Sequence, residues 1–350
     1  MRRLKLQGAV NNPNSTSDYL LRLNGVSKVF YVNNSKGFTK TRLTAVDDVS
    51  FDIMRGETFG LVGESGCGKS TLSKLALRLI EPSAGSVLYE GNNIYKMKFN
   101  ELRRLRRDMQ VVFQDPFDSL NPRMTLEAIV TEPMKIHGFG SREERHNRVR
   151  ELFEAVGLSF AQMKRYPHQL SGGQRQRLCI ARALALSPKL VVCDEAVSAL
   201  DVSIQAQILN LLMDLKDEFG LTYLFISHNL AVVKFVSDRV GVMYYGRLVE
   251  LANKEELFNN VLHPYTYALL AAVPDPSPGA KPKTVTLQGS VPSLFNPPSG
   301  CIFHDRCPYA RKPCETLAPV LTDKGNGHLV ACHYADELKL KGYEKAGDRL

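Results

Sequence analysis

The hydrophobic and polar positions change their period along the chain, and each period predicts a different kind of element. Between residues 19 and 60, the segments LLRLNGVSKVF and TAVDDVSFDI alternate apolar and polar positions on either side of a polar stretch. This period of two predicts an antiparallel β layer with a long loop. After Gly56, buried runs such as TFGLVG alternate with helical patterns such as STLSKLALRLI, and this alternation predicts a largely parallel α/β core.

The rest of the core continues the alternation, with one interruption. Strands are predicted at SVLYEG, MQVVFQD, KLVVCDE, TYLFISH and RVGVMYYG, and helices at QRQRLCIARALAL, VSIQAQILNLLMDLKDEF and NLAVVKFVS. Between Asp115 and Leu190 the strand pattern stops, and Ser141 with Glu144 forms a capping box that opens a helix. We therefore expect a helical subdomain inserted at about 115–190.

The two ends of the chain differ in composition from this core. Residues 1–18 are polar and have no apolar segment of the signal-peptide kind, so a disordered lead is expected. The proline-rich VPDPSPGAKPK and NPPSGC favour an extended connector. The core is accordingly expected at 19–262 and a C-terminal extension at 263–350. Because no run approaches the roughly 18 apolar residues of a membrane helix, the chain is expected to stay in the cytoplasm.

The net charge of +9 does not by itself select a partner. The densest basic cluster, Arg103, Arg104, Arg106 and Arg107, lacks the interleaved aromatic residues on which single-stranded nucleic acid would stack. A solvated helix face is the favoured interpretation, and contact with lipid or a membrane partner is the alternative. The functional argument therefore rests on motifs.

A phosphate-binding loop lies between a predicted strand and a predicted helix. It reads Gly63-Glu64-Ser65-Gly66-Cys67-Gly68-Lys69-Ser70-Thr71 and fits the pattern GxxxxGK[ST]. In such a loop, glycine-rich backbone amides surround the phosphates of ATP, Lys69 reaches the terminal phosphates and Ser70 helps to hold Mg²⁺. A glycine turn without a ligand is the alternative, which Lys69, Ser70 and the flanking elements disfavour.

Two carboxylates follow the apolar strand LVVC. Asp194 and Glu195 stand where the strands of a parallel sheet face a ligand crevice. Asp194 can orient Mg²⁺ and its water, and Glu195 suits a general base that positions water against the γ-phosphate. Such a pair alone is more often a solvated strand end, but the phosphate loop upstream favours hydrolysis.

Residues 170–174 read Leu170-Ser171-Gly172-Gly173-Gln174, the LSGGQ signature. With the phosphate loop and the carboxylates in this order, residues 20 to about 260 resemble the ABC ATPases. The resemblance implies a head-to-tail dimer that sandwiches ATP between one chain's phosphate loop and the other's signature. It also assigns Gln114 to the Q-loop and to Mg²⁺, Asp201 to the D-loop, His228 to the γ-phosphate, and Phe30, with Tyr31 as the alternative, to adenine.

Two positions depart from the family pattern. The carboxylates are followed by Ala196-Val197 where the family commonly has Pro-Thr, and His228 is followed by Asn229 where Asp is common. Neither change removes a group assigned to chemistry, so hydrolysis is expected, although its rate could differ.

Two further segments are similar to those of the oligopeptide/dipeptide importer ATPases. They are DPFDSLNPR after Gln114 and HPYT at residue 263. This similarity implies a heterodimer with a second homologous ATPase, two transmembrane permease subunits and an extracytoplasmic solute-binding protein, at the cytoplasmic face of the bacterial inner membrane. Nickel chelates, oligosaccharides and opines remain alternative solutes. A soluble ABC-type ATPase that acts on nucleic acid is disfavoured, because the chain has neither a second core nor a coiled-coil insertion.

Four cysteines crowd into the last fifth of the chain, namely Cys301, Cys307, Cys314 and Cys332. In a reducing compartment such a group indicates metal before disulfide. The absence of a CxxC pair is unusual for zinc, and the resemblance to peptide-importer ATPases implies a 4Fe-4S cluster. Zinc and unliganded or oxidised thiols remain alternatives. Cys67 is a separate case, because Lys69 and the helix start favour its thiolate if the thiol is accessible.

Overall fold

The structure is a computed structural model that describes residues 19–33, 40–272, 295 and 297–340. The predicted disordered lead at 1–18 and the proline-rich VPDPSPGAKPK lie outside these residues. Within them, no helix has the length and apolar character needed to cross a membrane.

Strands and helices alternate through most of the described chain. The strands are β1 (Tyr19–Asn33), β2 (Lys40–Met54), β3 (Thr58–Val62), β4 (Ala84–Tyr89), β5 (Asn92–Asn93), β6 (Met109–Val112), β7 (Leu190–Asp194), β8 (Thr222–Ser227), β9 (Arg239–Tyr244), β10 (Arg247–Asn253), β11 (Thr322–Asp323) and β12 (Leu329–Val330). The helices are α1 (Lys69–Ala76), α2 (Phe99–Asp108), α3 (Pro116–Ser119), α4 (Leu126–Ile136), α5 (Arg142–Ala155), α6 (Gly172–Leu184), α7 (Val202–Phe219), α8 (Leu230–Val236), α9 (Lys254–Asn259), α10 (Pro264–Ala271) and α11 (Lys312–Thr316).

The strands form two sheets, as the change of period predicts. The first sheet is antiparallel, in the order β2-β1-β4-β5. The second has the order β11-β12-β10-β9-β3-β8-β7-β6. In it, β9, β3, β8, β7 and β6 run parallel. Their apolar runs are buried on both faces, because Phe59 and Leu224 share one apolar cluster with residues of β1, β2 and α1, and Val191 and Phe225 share another with residues of the helices.

Helices α3 to α6 occupy the stretch in which the strand pattern stops. Their apolar residues pack into one large core, to which Ile129, Phe153 and Leu178 contribute. The predicted capping box opens α5: the Glu144 N–H donates to Ser141 Oγ at 3.2 Å, and the Ser141 N–H donates to Glu144 Oε2 at 2.5 Å. The four clustered arginines lie on exposed positions of α2, which both interpretations of the cluster require.

The C-terminal extension is packed against the ATPase core. Strand β12 pairs antiparallel with β10, so the extension continues the main sheet. Phe303 is buried and contacts the rings of Tyr244 and Tyr265, with centroid separations of 5.2 and 5.4 Å. The extension therefore shares apolar core with the end of β9 and the start of α10.

Candidate functional site

The phosphate loop connects β3 to α1 and requires glycine at two of its positions. A Cβ atom on Gly63 would lie 2.1 Å from the Met243 carbonyl oxygen, and one on Gly68 would lie 2.2 Å from that of Ala45. Gly68 also has a φ of 104°, in the left-handed region that favours glycine. The backbone can thus curl closely at the N-terminus of α1, where amides and the helix dipole favour phosphate.

Lys69 is held across this loop. Its side chain is buried, and its Nζ donates to the carbonyl oxygens of Gly63 at 2.7 Å and Glu64 at 2.9 Å. These bonds hold the buried ammonium group against the backbone at the start of the loop. A positive charge so placed is suited to the terminal phosphates of ATP.

The predicted magnesium ligands Ser70 and Asp194 are in contact. Ser70 Oγ donates to Asp194 Oδ1 at 3.0 Å, and Ser73 Oγ donates to Oδ2 of the same carboxylate at 2.9 Å. Ser73 was not predicted from the motif, although its position three residues after Ser70 places it on the same face of α1. The two hydroxyl groups fix the orientation of Asp194, and the hydroxyl and carboxylate oxygens suit Mg²⁺.

Glu195 and His228 form the second half of the site. Oε2 of Glu195 lies 3.2 Å from Nδ1 of His228. The Glu195 side chain is largely buried, whereas that of His228 is half exposed. This contact places a carboxylate and an imidazole at neighbouring strand ends, as a water-positioning pair requires.

Strand register explains why these residues meet. Val62 of β3 pairs with Ser227 of β8, and Asp194 of β7 pairs with Ile226. The residues that follow, Gly63, Glu195 and His228, therefore emerge at one edge of the sheet. Gln114 follows β6, whose Val112 pairs with Cys193, so it leaves the sheet at the same edge and its side chain is exposed.

The signature residues begin α6, as predicted. Ser171 is the N-cap and accepts the N–H of Gln174 at 3.3 Å, and Gln174 Oε1 accepts the N–H of Ser171 at 3.1 Å. Gly173 packs where a Cβ would meet Ile204 of α7 at 2.6 Å. Within the described residues, the hydrogen bonds of 171–174 stay inside this turn, so the signature does not join the phosphate loop of its own chain.

Asp201 is the N-cap of α7. Its Oδ1 accepts the N–H of Ile204 at 3.0 Å and the hydroxyl of Ser203 at 2.9 Å. These bonds hold the pKa of the carboxyl below its usual value. Asp201 thus fixes the turn that carries the predicted D-loop, next to the signature helix.

Phe30 is exposed on β1 and lies under Lys28 Nζ, 5.1 Å from the ring centroid. An aromatic residue on a strand is more often part of the core, but the Phe30 side chain is 37% exposed. Its neighbour Tyr31 is more exposed still. The adenine role of Phe30 stays a prediction.

At the two positions that depart from the family pattern, Ala196-Val197 and Asn229, the residues present fit the local structure. Asn229 caps α8 by accepting the N–H of Ala231 on Oδ1 at 2.9 Å, a bond that an aspartate could make equally well. Ala196 and Val197 are buried behind Glu195. Both positions therefore act on the shape of the site and not on its reacting groups.

Burial corrects the expectation for Cys67. Its side chain is only 5% exposed. Burial raises the pKa of the thiol above its usual value, although Lys69 opposes this change. The protonated thiol is therefore favoured, and the condition of access on which the thiolate prediction depended is not met.

The four C-terminal cysteines surround one small cavity, together with Phe303 and Tyr309. Burial raises the pKa of Cys307 to about 12 and that of Cys332 to about 11. Within the described residues, no group of three or more His, Cys, Asp or Glu side chains is arranged to hold a metal ion. The iron-sulfur and zinc assignments stay predictions.

One contact at the site was missed by the sequence analysis. Arg306, in the extension, donates two hydrogen bonds to the carboxylate of Glu64, at 2.7 and 2.9 Å. Tyr265 accepts the N–H of Glu64 at 2.8 Å. Tyr265 lies in the HPYT segment, but no motif includes Arg306, which is 242 positions away from Glu64 in sequence, so no local pattern could have shown the contact.

Comparisons with known proteins give matches over most of the chain. The family described as ABC transporter matches residues 46–198, and the oligopeptide/dipeptide transporter C-terminal region matches 249–314. The probable peptide ABC transporter ATP-binding protein of Sinorhizobium fredii is 53% identical, covering 91% of this chain and 90% of that protein. The oligopeptide transport ATP-binding protein AppF of Bacillus subtilis is 49% identical, covering 91% and 98%.

Solved structures agree with these relatives. A dimeric post-hydrolysis state of the ATP-binding cassette MJ0796 with ADP and phosphate has a TM-score of 0.60 and 30% identity, covering 67% of this chain and 98% of that one. CbiO1 of Clostridium perfringens, part of the ABC transporter complex CbiONQ, has a TM-score of 0.60 and 28% identity, covering 69% and 91%. The predicted fold class, a phosphate-loop core with an antiparallel β subdomain and helical insertion, is confirmed.

The fold, the phosphate loop and the carboxylates at the strand ends define a phosphate-loop ATPase that uses Mg²⁺. The signature at the start of α6 narrows this class to the ATP-binding cassettes. The chain belongs to the ATP-binding proteins of ABC transporters, in the group that carries the oligopeptide/dipeptide C-terminal region. It is a transporter ATPase that hydrolyses ATP.

Proposed function

We propose that this chain powers the uptake of di- or oligopeptides across a bacterial inner membrane, from its cytoplasmic face. The observation that carries the proposal is the match of both the cassette and the C-terminal region to peptide-transport ATP-binding proteins at about half identity. Its partners would be a second homologous ATPase, two permease subunits and an extracytoplasmic solute-binding protein. Nickel chelates, oligosaccharides and opines are the competing solutes.

The site geometry supports a separate role for each of its side chains during ATP hydrolysis. Lys69 would neutralise the terminal phosphates, and Ser70 with Asp194 would hold Mg²⁺. Glu195, in contact with His228, would take the proton of the attacking water as that water attacks the γ-phosphorus and the bond to ADP breaks. Gln114 would contact the γ-phosphate and transmit its presence to the segment DPFDSLNPR, which follows Gln114 in sequence.

The signature would act on the partner ATPase. Ser171 and the amides at the start of α6 form an anion site that is not joined to the phosphate loop of the same chain within the described residues. A second chain placed head to tail would bring this site to the γ-phosphate of the first chain's ATP. ATP binding would then close the pair of ATPases, and hydrolysis would release it.

Transport in reconstituted vesicles tests this function. The chain would be co-expressed with two permease subunits and a second homologous ATPase, and the binding protein added to the vesicles. ATP hydrolysis should rise when the binding protein carries an oligopeptide, and labelled peptide should cross the bilayer. Stimulation by a nickel chelate or an oligosaccharide but not by peptides would contradict the solute assignment while leaving the ATPase assignment intact.

A 4Fe-4S cluster held by the four C-terminal cysteines is part of the same proposal. The support is that Cys301, Cys307, Cys314 and Cys332 line a common cavity. Four thiolates around one tetrahedral zinc ion lie about 3.8 Å apart, whereas the thiolates of a cluster lie farther apart because each binds a different iron. The spacing of the four sulfur atoms thus separates the two metals, and the similarity of this cysteine pattern to that of peptide-importer ATPases favours the cluster. Such a cluster would stabilise the extension.

Metal analysis of anaerobically purified protein tests the cluster. About four irons with matching sulfide per chain, and a brown colour that air bleaches, are expected. One zinc per chain would support the competing assignment, and the lack of both metals would contradict both. Replacing any one of the four cysteines by serine should remove the colour.

A further inference from the structure

Arg306 forms a two-pronged ion pair with Glu64, the second residue of the phosphate loop. Nη1 donates to Oε2 at 2.7 Å and Nη2 to Oε1 at 2.9 Å. The arginine side chain is 7% exposed and the glutamate side chain 25%. Such a fork fixes both the position and the orientation of the carboxylate, which a single exposed contact would not do.

A second bond reaches the backbone of the same residue. The N–H of Glu64 donates to the hydroxyl of Tyr265 at 2.8 Å, and Tyr265 is fully buried. The carbonyl of Glu64 accepts from Lys69 Nζ at 2.9 Å. Glu64 is therefore held at its side chain, its N–H and its carbonyl, and the last of these bonds carries the constraint to Lys69.

Tyr265 belongs to an aromatic cluster that Arg306 also contacts. Tyr244, Tyr265 and Phe303 pack with centroid separations between 4.6 and 5.4 Å. The Tyr244 hydroxyl lies 3.5 Å from Arg306 Nη1. Since these residues come from β9, α10 and the extension, the position of Glu64 is set jointly by the core and by the C-terminal extension.

We infer that Arg306 and Tyr265 are positioning residues for ATP binding, through which the C-terminal extension holds the phosphate loop in its phosphate-binding form. A glycine-rich loop loses conformational entropy when it wraps phosphates. Contacts that order the loop beforehand reduce this loss and so raise the affinity for ATP. They act on binding more than on the chemical step, because neither residue contacts Glu195, Asp194 or His228 within the described chain.

The first test measures MgATP affinity of the full-length chain, purified anaerobically. Arg306→Met and Glu64→Gln would be made in a Glu195→Gln background, so that bound ATP is not hydrolysed. Each should raise the Kd for MgATP roughly tenfold, as expected for loss of a charged hydrogen bond. The double variant should be no worse than the single ones, since both remove the same contact.

The matched control is Arg311→Met. Arg311 lies in the same extension and pairs with Glu337 at 2.8 Å, but both side chains are more than half exposed. This variant should bind MgATP with wild-type affinity. Arg306→Lys keeps the charge but loses the fork, and its Kd should lie between those of Arg306→Met and the wild type.

A second measurement separates positioning from a purely structural role. With Glu195 intact, Arg306→Met and Tyr265→Phe should raise the KM for ATP severalfold while kcat at saturating ATP changes less than about twofold. By reciprocity, MgATP should slow hydrogen exchange in residues 297–340 of the wild type, and this protection should be reduced in Arg306→Met.

The inference fails if folded Glu64→Gln and Arg306→Met bind MgATP within twofold of the wild type. It also fails if their effects on Kd are additive in the double variant. Glu64→Gln is isosteric and its site is partly exposed, so it tests the contact even if Arg306→Met does not fold. Because the readout is ATP affinity, these outcomes are independent of which solute the transporter carries.

Discussion

At the scale of single residues, the most unusual backbone position at the site belongs to Glu195. Its φ of 50° lies in the left-handed region, which is uncommon for a residue with a side chain. The conformation is held by the N–H bond to Ile226 O at 3.0 Å and by Ser198, which donates both its N–H and its hydroxyl to the Glu195 carbonyl. A backbone so restrained points the carboxylate at His228 without further ordering.

Glu195→Gln should stop turnover and spare ATP binding. The amide keeps the volume and the left-handed backbone but cannot take a proton from water, so kcat should fall about 100-fold or more. Hydrolysis by the assembled transporter and the Kd for MgATP would be measured side by side. Glu143→Gln, on an exposed position of α5, is the control. A Glu195→Gln protein with near-normal turnover would remove Glu195 from its role.

Cys67 should resist alkylation in the native protein. Its thiol is buried and its pKa is raised by that burial, so iodoacetamide at pH 7.5 should modify it at least about tenfold more slowly than an exposed cysteine. MgATP should slow the reaction further. Mass spectrometry of tryptic peptides, with Cys67→Ser to identify the site, gives the rate. Rapid labelling that nucleotide does not slow would contradict this placement.

At the scale of elements, the docking of β12 on β10 contains a buried ion pair. His328 Nε2 lies 2.8 Å from Glu250 Oε1, and both side chains are almost fully buried. Glu250 also accepts the N–H groups of Leu262 and His263, and Glu256 lies 3.6 Å from His328 Nδ1. Burial disfavours the charged imidazole, but the two carboxylates outweigh it and the pKa of His328 is raised.

The stability that His328 contributes should depend on pH. Because its folded pKa is raised, the native state binds the proton more tightly than the unfolded chain does. The contribution is fully present below about pH 6.5 and is lost as pH rises through the folded pKa. The difference in Tm between the wild type and His328→Gln should therefore be larger at pH 6 than at pH 9.

A second buried histidine, His263, has the opposite pH dependence, and its contribution to stability must be separated from that of His328. Burial lowers the pKa of His263 to about 3, so its contribution falls as pH drops below about 6.5. The wild type and His328→Gln both contain His263, so the contribution of His263 cancels in their Tm difference. His146→Gln removes an exposed pair with Glu127 and should show a much smaller pH dependence. A Tm difference for His328→Gln that grows with pH would refute the assignment.

Elements of regular period could be predicted from the sequence, and those that depend on distant contacts could not. The helix α7 has the bounds of the predicted segment VSIQAQILNLLMDLKDEF, because its apolar spacing and its cap at Asp201 are local features. The strand ends that carry Gly63, Asp194 and His228 were likewise predictable. By contrast, β11 and β12 have two residues each. A strand of that length is too short to show an alternation of apolar and polar positions.

At the scale of the whole molecule, the extension and the ATPase core share one apolar cluster. Cys301, Phe303 and Cys314 belong to the same cluster as Tyr244 and Tyr265. The sequence suggested an appendage because composition changes after Pro264. The burial of Cys67 and the Arg306 contact were missed for the same reason: both depend on tertiary packing across more than a hundred residues.

Phe303→Ala should loosen the extension as a unit. Phe303 is 1% exposed, and truncating such a ring typically costs about 3–5 kcal/mol of folding free energy. Chemical denaturation should show a correspondingly lower midpoint. Phe235→Ala on α8, where the ring is 54% exposed, is the control and should change the free energy of unfolding by less than about 1 kcal/mol. If Phe303→Ala and Phe235→Ala changed the free energy of unfolding equally, the core shared by the extension and the ATPase would be contradicted.

The 242 positions between Glu64 and Arg306 also bear on how the protein is made. A ribosome releases the phosphate loop long before it has synthesised Arg306, and domains begin to fold from the N-terminal side during synthesis. On the inference above, the nascent chain carries every ATP-binding motif before its loop acquires its anchor. Full affinity for ATP is then reserved for completed chains, and a product of premature termination before residue 306 would compete poorly for nucleotide.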